Sequence, residues 1–189
     1  MTRPTPRNEA VKLDKYKYIM SRTNPKGIIE YGNDYFFEIS GYTQEELLGQ
    51  PHNIIRHPDM PKVVFKLMWD RLQKGQGIYA VVKNLAKDGR YYWVTTKFEI
   101  QRDPVTKHIT GYLAYRQAAK PGTIEVMENL YKKLVAAEET GGMAASQQML
   151  LEYLDKRGQS YDEFINEVIE NNTAFKLFFN AMIKMFGGK

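Results

Sequence analysis

Two of the chain's three histidines, an arginine and an aspartate fall within residues 52–61, HNIIRHPDMP. Side chains of these kinds bind metals, trade protons or hold an anionic or heteroaromatic guest, and their spacing separates the three chemistries. His52 and His57 are five apart and set beside prolines, not at the i, i+4 spacing that puts two zinc ligands on one helical face. Without a fixed third ligand no metal site is expected. Acid–base work by His57 and Asp59 lacks a nucleophile, because Ser40-Gly41 is not the strand–turn–helix elbow that exposes a reactive serine. No catalytic residue is assigned, and a binding protein rather than an enzyme is expected.

Part of the stretch has a plain structural use. Asp59 ahead of Met60-Pro61 reads as the N-cap of the helix that follows, with proline in its first turn, and Arg56 as a partner for Asp59. That leaves two histidines and an arginine beside Ile54 and Ile55, where buried polar groups are costly unless hydrogen-bonded. A polar or anionic guest would supply the missing partners.

The elements that must position these residues follow from turn and helix signals. KYIMSRTNPKGIIEYGN holds two short β-rich runs around Asn24-Pro25-Lys26-Gly27, a hairpin signature. NDYFFEISG is a short helix closed by Gly41, and YTQEELLGQ another, with Thr43 and Glu46 as a capping box and Gly49 as terminator. Residues 60–73 form an amphipathic helix with Val64, Phe65, Met68 and Leu72 on one face and Trp69 at its border. Two strands around Lys87-Asp88-Gly89 and a last one after Asp103 complete the set. Alternation puts Ile78, Ala80, Val82 and Asn84 on the more apolar, core-facing side of the first of these strands. An inward Asn84 needs hydrogen bonds, from backbone or from a heterocycle whose donor and acceptor edge its amide matches. The aromatics Phe36, Phe37, Phe65, Trp69, Tyr92 and Trp93 read as plain core more readily than as the walls of a cofactor site. The order β-β-α-α-α-β-β-β predicts an α+β domain: a five-stranded antiparallel sheet with short helices on one face.

Beyond Pro121-Gly122 every pattern is helical, with a hinge at Gly141-Gly142 and a Ser160/Glu163 capping box. The last segment, TAFKLFFNAMIKMFGGK, is apolar except along Lys176, Asn180 and Lys184, and so calls for burial on its own domain, on a partner or at a membrane surface. With 189 residues, 43% of them hydrophobic, the chain supports one good core plus an appendage. No run of roughly 18 apolar residues spans a membrane, and the N-terminus has no signal-peptide core. The absence of cysteine removes disulfides and thiolate chemistry, and cytoplasmic residence is expected. The net charge of +5 resides in residues 1–26, where seven basic residues face two acidic ones. Such a leader is expected to be solvated and partly mobile. With no recognition helix or zinc finger, no nucleic-acid partner is expected.

The segment NDYFFEISGYTQEELLGQPHNIIRHPDMPKVVFKLMWDRLQKG, followed by VKNLAKDGRYYWV, resembles the PAS sensor domain of bacterial aerotaxis receptors over residues 18–117. The resemblance implies a PAS fold and an FAD cofactor. It implies that FAD is held by Asn33, His52, Arg56, His57, Asp59, Phe65, Trp69 and Asn84, and that Ile78 stands where flavin-binding members carry a tryptophan. Lack of cysteine excludes the cysteinyl-flavin adduct of blue-light relatives and favours redox input. The family's membrane segments and signalling coiled coil have no counterpart here, so the chain is expected to work as a stand-alone sensor. The expected organisation is a basic leader at 1–17, the PAS domain at 18–117 and a helical tail at 118–189. The expected function is a cytoplasmic redox or energy-taxis sensor, associated with a membrane receptor complex, that relays the state of FAD to a chemotaxis receptor or its signalling domain. A homodimer through the sheet or helices fits the same scheme. Two alternatives stand beside it: a ligand-free interaction module bridging chemotaxis proteins, and a haem protein using His52, His57 or His108 as axial ligand.

Overall fold

Turn chemistry sets the strand order. Strands β1 (Ile19–Thr23) and β2 (Ile29–Gly32) form a hairpin. Asn24 closes the turn: its side chain accepts from the Lys26 and Ile28 amides at 2.9 and 3.1 Å, and its carbonyl accepts from Gly27 at 3.0 Å. Helix α1 (Asp34–Ser40) is capped by Asn33 and ended by Gly41 at φ 72°. Helix α2 (Gln44–Leu47) opens with the Thr43/Glu46 capping box. A 3-10 turn at His52–Ile55 leads into α3 (Lys62–Gln73). Strands β3 (Ile78–Leu85), β4 (Tyr91–Arg102) and β5 (Ile109–Ala118) complete a five-stranded antiparallel sheet in the order β2-β1-β5-β4-β3. Helix α4 (Pro121–Asp155) bends at Gly142, whose φ of 68° and ψ of −171° are not helical, and α5 (Tyr161–Glu170) follows the Ser160/Glu163 capping box. The computed structural model describes residues 3–170, so the apolar segment 173–186 lies outside the described residues.

Strand register assigns the faces. Ile19 lies opposite Arg116, Ser21 opposite Ala114, and Thr23 opposite Tyr112. Phe98 pairs with both Ala114 and Ile78, Val94 with Val82, and Tyr92 with Asn84. Cross-strand partners share a face, so all of these point toward α1–α3, where Phe36, Leu47, Ile55, Val64, Met68 and Leu72 fill the core. Sequence alternation gives β3 one core face, yet Val81, Lys83 and Leu85 on its reverse are buried too. The reason is the helical extension: the Tyr131 hydroxyl of α4 donates to the Val81 carbonyl at 2.7 Å, Tyr131 stacks on Trp93, and α5 packs against β3.

Three local expectations are corrected. Asp59 does not cap α3: Pro61 occupies the cap position without a side-chain bond, and Asp59 instead accepts from Lys83 Nζ at 2.6 Å. Arg56 does not pair with Asp59: it donates to the Met60 carbonyl at 2.8 Å and lies over the Phe65 ring. The leader is strapped down rather than free. Arg7 donates to the Gly89 carbonyl, Val11 to Tyr91, and Tyr91 back to Glu9, so residues 7–11 run beside the start of β4 and satisfy backbone groups there.

Candidate functional site

A cavity of about 300 Å³ lies between the sheet and α3. Ser21 and Thr23 of β1, Val82 and Asn84 of β3, Phe98 of β4, and Tyr112, Ala114 and Arg116 of β5 form its floor. Phe65, Met68, Trp69 and Leu72 of α3 form its roof, and exposed Lys26, Pro51 and Asn53 its rim. Gly27 at φ 79° brings the hairpin turn against Trp69, where a Cβ would sit 2.9 Å from the indole. Trp69 meets Tyr112 edge-on at 5.6 Å. The size and the mainly apolar lining match a small-molecule site.

The polar groups on this wall divide into two sets. At the β5 end, Arg116 is only 2% exposed. Its guanidinium donates to Ser21 Oγ at 2.9 Å and to His52 Nε2 at 2.8 Å, and Ser21 Oγ lies 3.0 Å from the same histidine nitrogen. An arginine always donates, so His52 Nε2 accepts and the ring is neutral. Burial, then the Arg116 charge, push the His52 pKa down to about 3, and burial lowers Arg116 to about 10. No carboxylate pairs with Arg116 among the described residues. At the β3 end, Asn84 is 3% exposed and its Nδ2 makes no hydrogen bond of good geometry; the side chain it acts on is its cross-strand neighbour Tyr92, whose buried hydroxyl is equally short of a well-formed bond.

The stretch 52–61 is split by strand geometry. Arg56 forms an antiparallel bridge to Asn84 along the free edge of β3. Bridge partners face the same side and the next residues face the other, so Arg56 and Asn84 reach the cavity while His57 turns to the reverse face. There His57 is buried at 3% exposure, accepts from the Asp59 amide at 3.1 Å and meets the Tyr91 ring edge-on. Lys83 bonds Asp59 and lies over the Tyr91 ring at 4.4 Å. Burial first, then the Lys83 charge, push the His57 pKa down to about 4, with Asp59 acting the other way.

Of the residues singled out from sequence, His52, Arg56, Phe65, Trp69 and Asn84 come together on the cavity wall. Asn33, His57, Asp59 and Ile78 do not. Asn33 spends its whole side chain on the frame, accepting from Met20 and Phe36 amides and donating to the Tyr18 carbonyl. Ile78 is buried at the start of β3, opposite Phe98, which does line the cavity. Arg116, Ser21 and Thr23 escaped the sequence reading. The alternation Tyr112, Ala114, Arg116 in β5 was the available signal, since it puts the arginine on the same face as a buried tyrosine. Among the described residues no group of acidic or histidine side chains could hold a metal ion.

A family model described as the PAS fold matches residues 29–113. The aerotaxis receptor of Escherichia coli K12 is 43% identical over 120 residues, 62% of this chain but 23% of that protein. The biofilm dispersion protein BdlA of Pseudomonas aeruginosa is 27% identical over 81 residues, 42% of this chain and 19% of that protein. The chain thus spans less than a quarter of these relatives. A light-oxygen-voltage domain from a mechanistic study with a flavin analogue superposes with a TM-score of 0.50 at 23% identity, covering 58% of this chain and 82% of that one. The light-state structure of the blue-light photoreceptor Aureochrome1 LOV gives 0.51 at 20% identity, covering 61% and 90%. These superpositions show the fold alone. The sheet, the three short helices and the matched residues together make residues 29–113 the heart of a PAS-fold domain, followed here by helix α4.

Proposed function

We propose, from a PAS fold similar to that of an aerotaxis receptor, that this chain is a taxis sensor whose cavity holds FAD and whose helical extension relays the state of that cofactor to a chemotaxis receptor or signalling partner. The observation that carries the reading is a buried donor set that the chain's own acceptors match only in part. Asn84 Nδ2 is buried without a well-formed hydrogen bond, and Arg116 is buried against two neutral acceptors and no carboxylate. Leaving such groups unmatched costs roughly 1–3 kcal/mol each, more when charged. A flat heterocycle edged with carbonyl and ring-nitrogen acceptors supplies what they lack, between the Phe65 and Trp69 rings and the floor of the cavity. Lys26 and Arg56 add positive charge suited to the phosphates of a dinucleotide.

A bound flavin would supply reversible electron uptake with a change of charge on its ring. The chain's own part is electrostatic. Ser21 and His52 hold the Arg116 guanidinium in place, and His52 stays neutral, so Arg116 is a fixed positive charge at one end of the cavity. It favours whichever state of the guest is more negative, and strain between those states shifts the balance of two protein conformations. Asn33, His57, Asp59 and Ile78 would act by holding the frame rather than by touching the guest. No helix among the described residues is long and apolar enough to cross a membrane; cytoplasmic placement beside a receptor complex is part of this proposal. Turnover is not: the Ser21 hydroxyl and His52 Nε2 on the cavity wall are both engaged by the Arg116 guanidinium.

Exposed Met143, Met149 and Leu151 on the second half of α4 favour a second reading, an interaction module that works without a cofactor. Titrating the full chain with FAD and following flavin fluorescence separates the two. Saturable quenching supports the sensor reading, and no quenching at concentrations up to about 1 mM, the weakest range of specific binding, leaves the module.

A further inference from the structure

Helix α3 is the roof of the cavity, yet it supplies no cap of its own. Pro61 precedes it without a side-chain bond, and the amide of buried Val63 is met from a distant part of the chain: it donates to Glu138 Oε1 of α4 at 2.9 Å, 75 residues away. A carboxylate at a helix N-terminus satisfies a free amide and opposes the positive end of the helix dipole. The same carboxylate acts on Arg56. Burial draws the Arg56 guanidinium below its ordinary value, the Glu138 charge works against that, and the Arg3 charge works with it. Arg56 in turn lines the cavity, donates to the Met60 carbonyl and lies 4.2 Å over the Phe65 ring, another part of the roof.

Glu138 also occupies a sensitive place in α4. On its N-terminal side the helix is anchored to β3 by the bond from the Tyr131 hydroxyl to the Val81 carbonyl and by fully buried Leu134. Four residues beyond it the helix bends at Gly142. Glu138 thus lies between the anchor and the bend, where it ties the first turn of α3 to the anchored half of α4.

We infer that Glu138 is a positioning residue for the cavity: it fixes the first turn of α3 and Arg56, and so links occupancy of the cavity to the packing of α4. This rests on the sensor reading only for the identity of the guest. Coupling of this kind is reciprocal, so whatever the guest does to α4, α4 does to the guest.

The test uses the full chain as wild type, Glu138→Gln and Glu138→Ala, with FAD as the probe and amide hydrogen exchange as the readout. Glutamine keeps an oxygen for the Val63 amide and removes the charge; alanine removes both. Without FAD, exchange in the first turn of α3 should rise about five-fold in the alanine variant, as expected for loss of a cap, and stay within about two-fold in the glutamine variant. Adding FAD should change exchange around Gly142 in the wild type, and that response should vanish in the alanine variant. Unaltered α3 exchange in the alanine variant, or an FAD response of α4 that survives it, overturns the inference. A wild type that takes no FAD sinks the sensor reading and the link to it, while the α3 exchange still decides the positioning claim.

Discussion

His52 and His57 lie five residues apart in sequence and on opposite faces of one sheet. The reverse-face cluster of His57, Asp59, Lys83 and Tyr91 is closed: Lys83 has a carboxylate at 2.6 Å and an aromatic face at 4.4 Å, and His57 accepts a backbone hydrogen bond. The cavity cluster of His52, Ser21, Arg116 and Asn84 is open. Its arginine has only neutral acceptors and its amide nitrogen makes no well-formed bond. The contrast separates residues that build the domain from residues left with capacity for a guest. Each cluster sets a histidine beside a buried cation, Lys83 in one and Arg116 in the other, and the count of satisfied groups tells the two apart.

The largest expected effect touches both clusters at once. Both histidines titrate far below the ordinary 6.5, at about 3 for His52 and about 4 for His57. The unfolded chain therefore takes up these protons first as pH falls. Stability is complete above about 6.5 and is lost on acidification until the folded-state values are reached, by up to about 2 kcal/mol per histidine at pH 5. Denaturant unfolding at pH 7 and pH 5 should show a drop of up to about 4 kcal/mol, and His57→Asn should roughly halve it. A flat profile would mean that neither cluster keeps its histidine neutral.

Arg116→Met divides the clusters. It removes the one buried charge of the open set and leaves Ser21 and His52 bonded to each other. Charged hydrogen bonds of this kind contribute about 1.5–3 kcal/mol, so FAD affinity should fall roughly 10- to 100-fold. Lys83→Met, by contrast, should lower stability and leave FAD affinity within about three-fold, because its charge is already paired. Equal losses of affinity from the two variants would erase the distinction between open and closed. Asn84→Ala should weaken FAD about five-fold, the net contribution of one hydrogen bond. Smallest is Ile78→Val: about 0.5–1.5 kcal/mol of stability and no measurable change in FAD affinity, because Ile78 is core and off the cavity wall. A larger change in affinity would return that position to the site.

Much of the frame was legible because its signals are local. Asn24 to Gly27, Asp88-Gly89, Thr43/Glu46 and Ser160/Glu163 each announce a turn or cap within four residues, and each does what its chemistry suggests. Asp59 misled for the opposite reason. An aspartate before a proline-led helix is a good cap, but Lys83, 24 residues on, competes for it, and Glu138 takes the vacant role from 75 residues away. The strapped leader was illegible because backbone hydrogen bonds leave no mark on side-chain identity. Arg116 was readable in principle. Alternation places it inward, but a buried arginine without a carboxylate is so costly that sequence alone argues for a surface position. That cost is what makes it informative once its place is seen.

The central claim is that the open cluster is open because it takes a flavin. The most direct measurement is the absorption spectrum of the full chain after incubation with FAD and removal of free ligand. The account predicts retained flavin bands at ~450 nm, with stoichiometric flavin released on denaturation. A colourless protein that retains no flavin after saturation would contradict it.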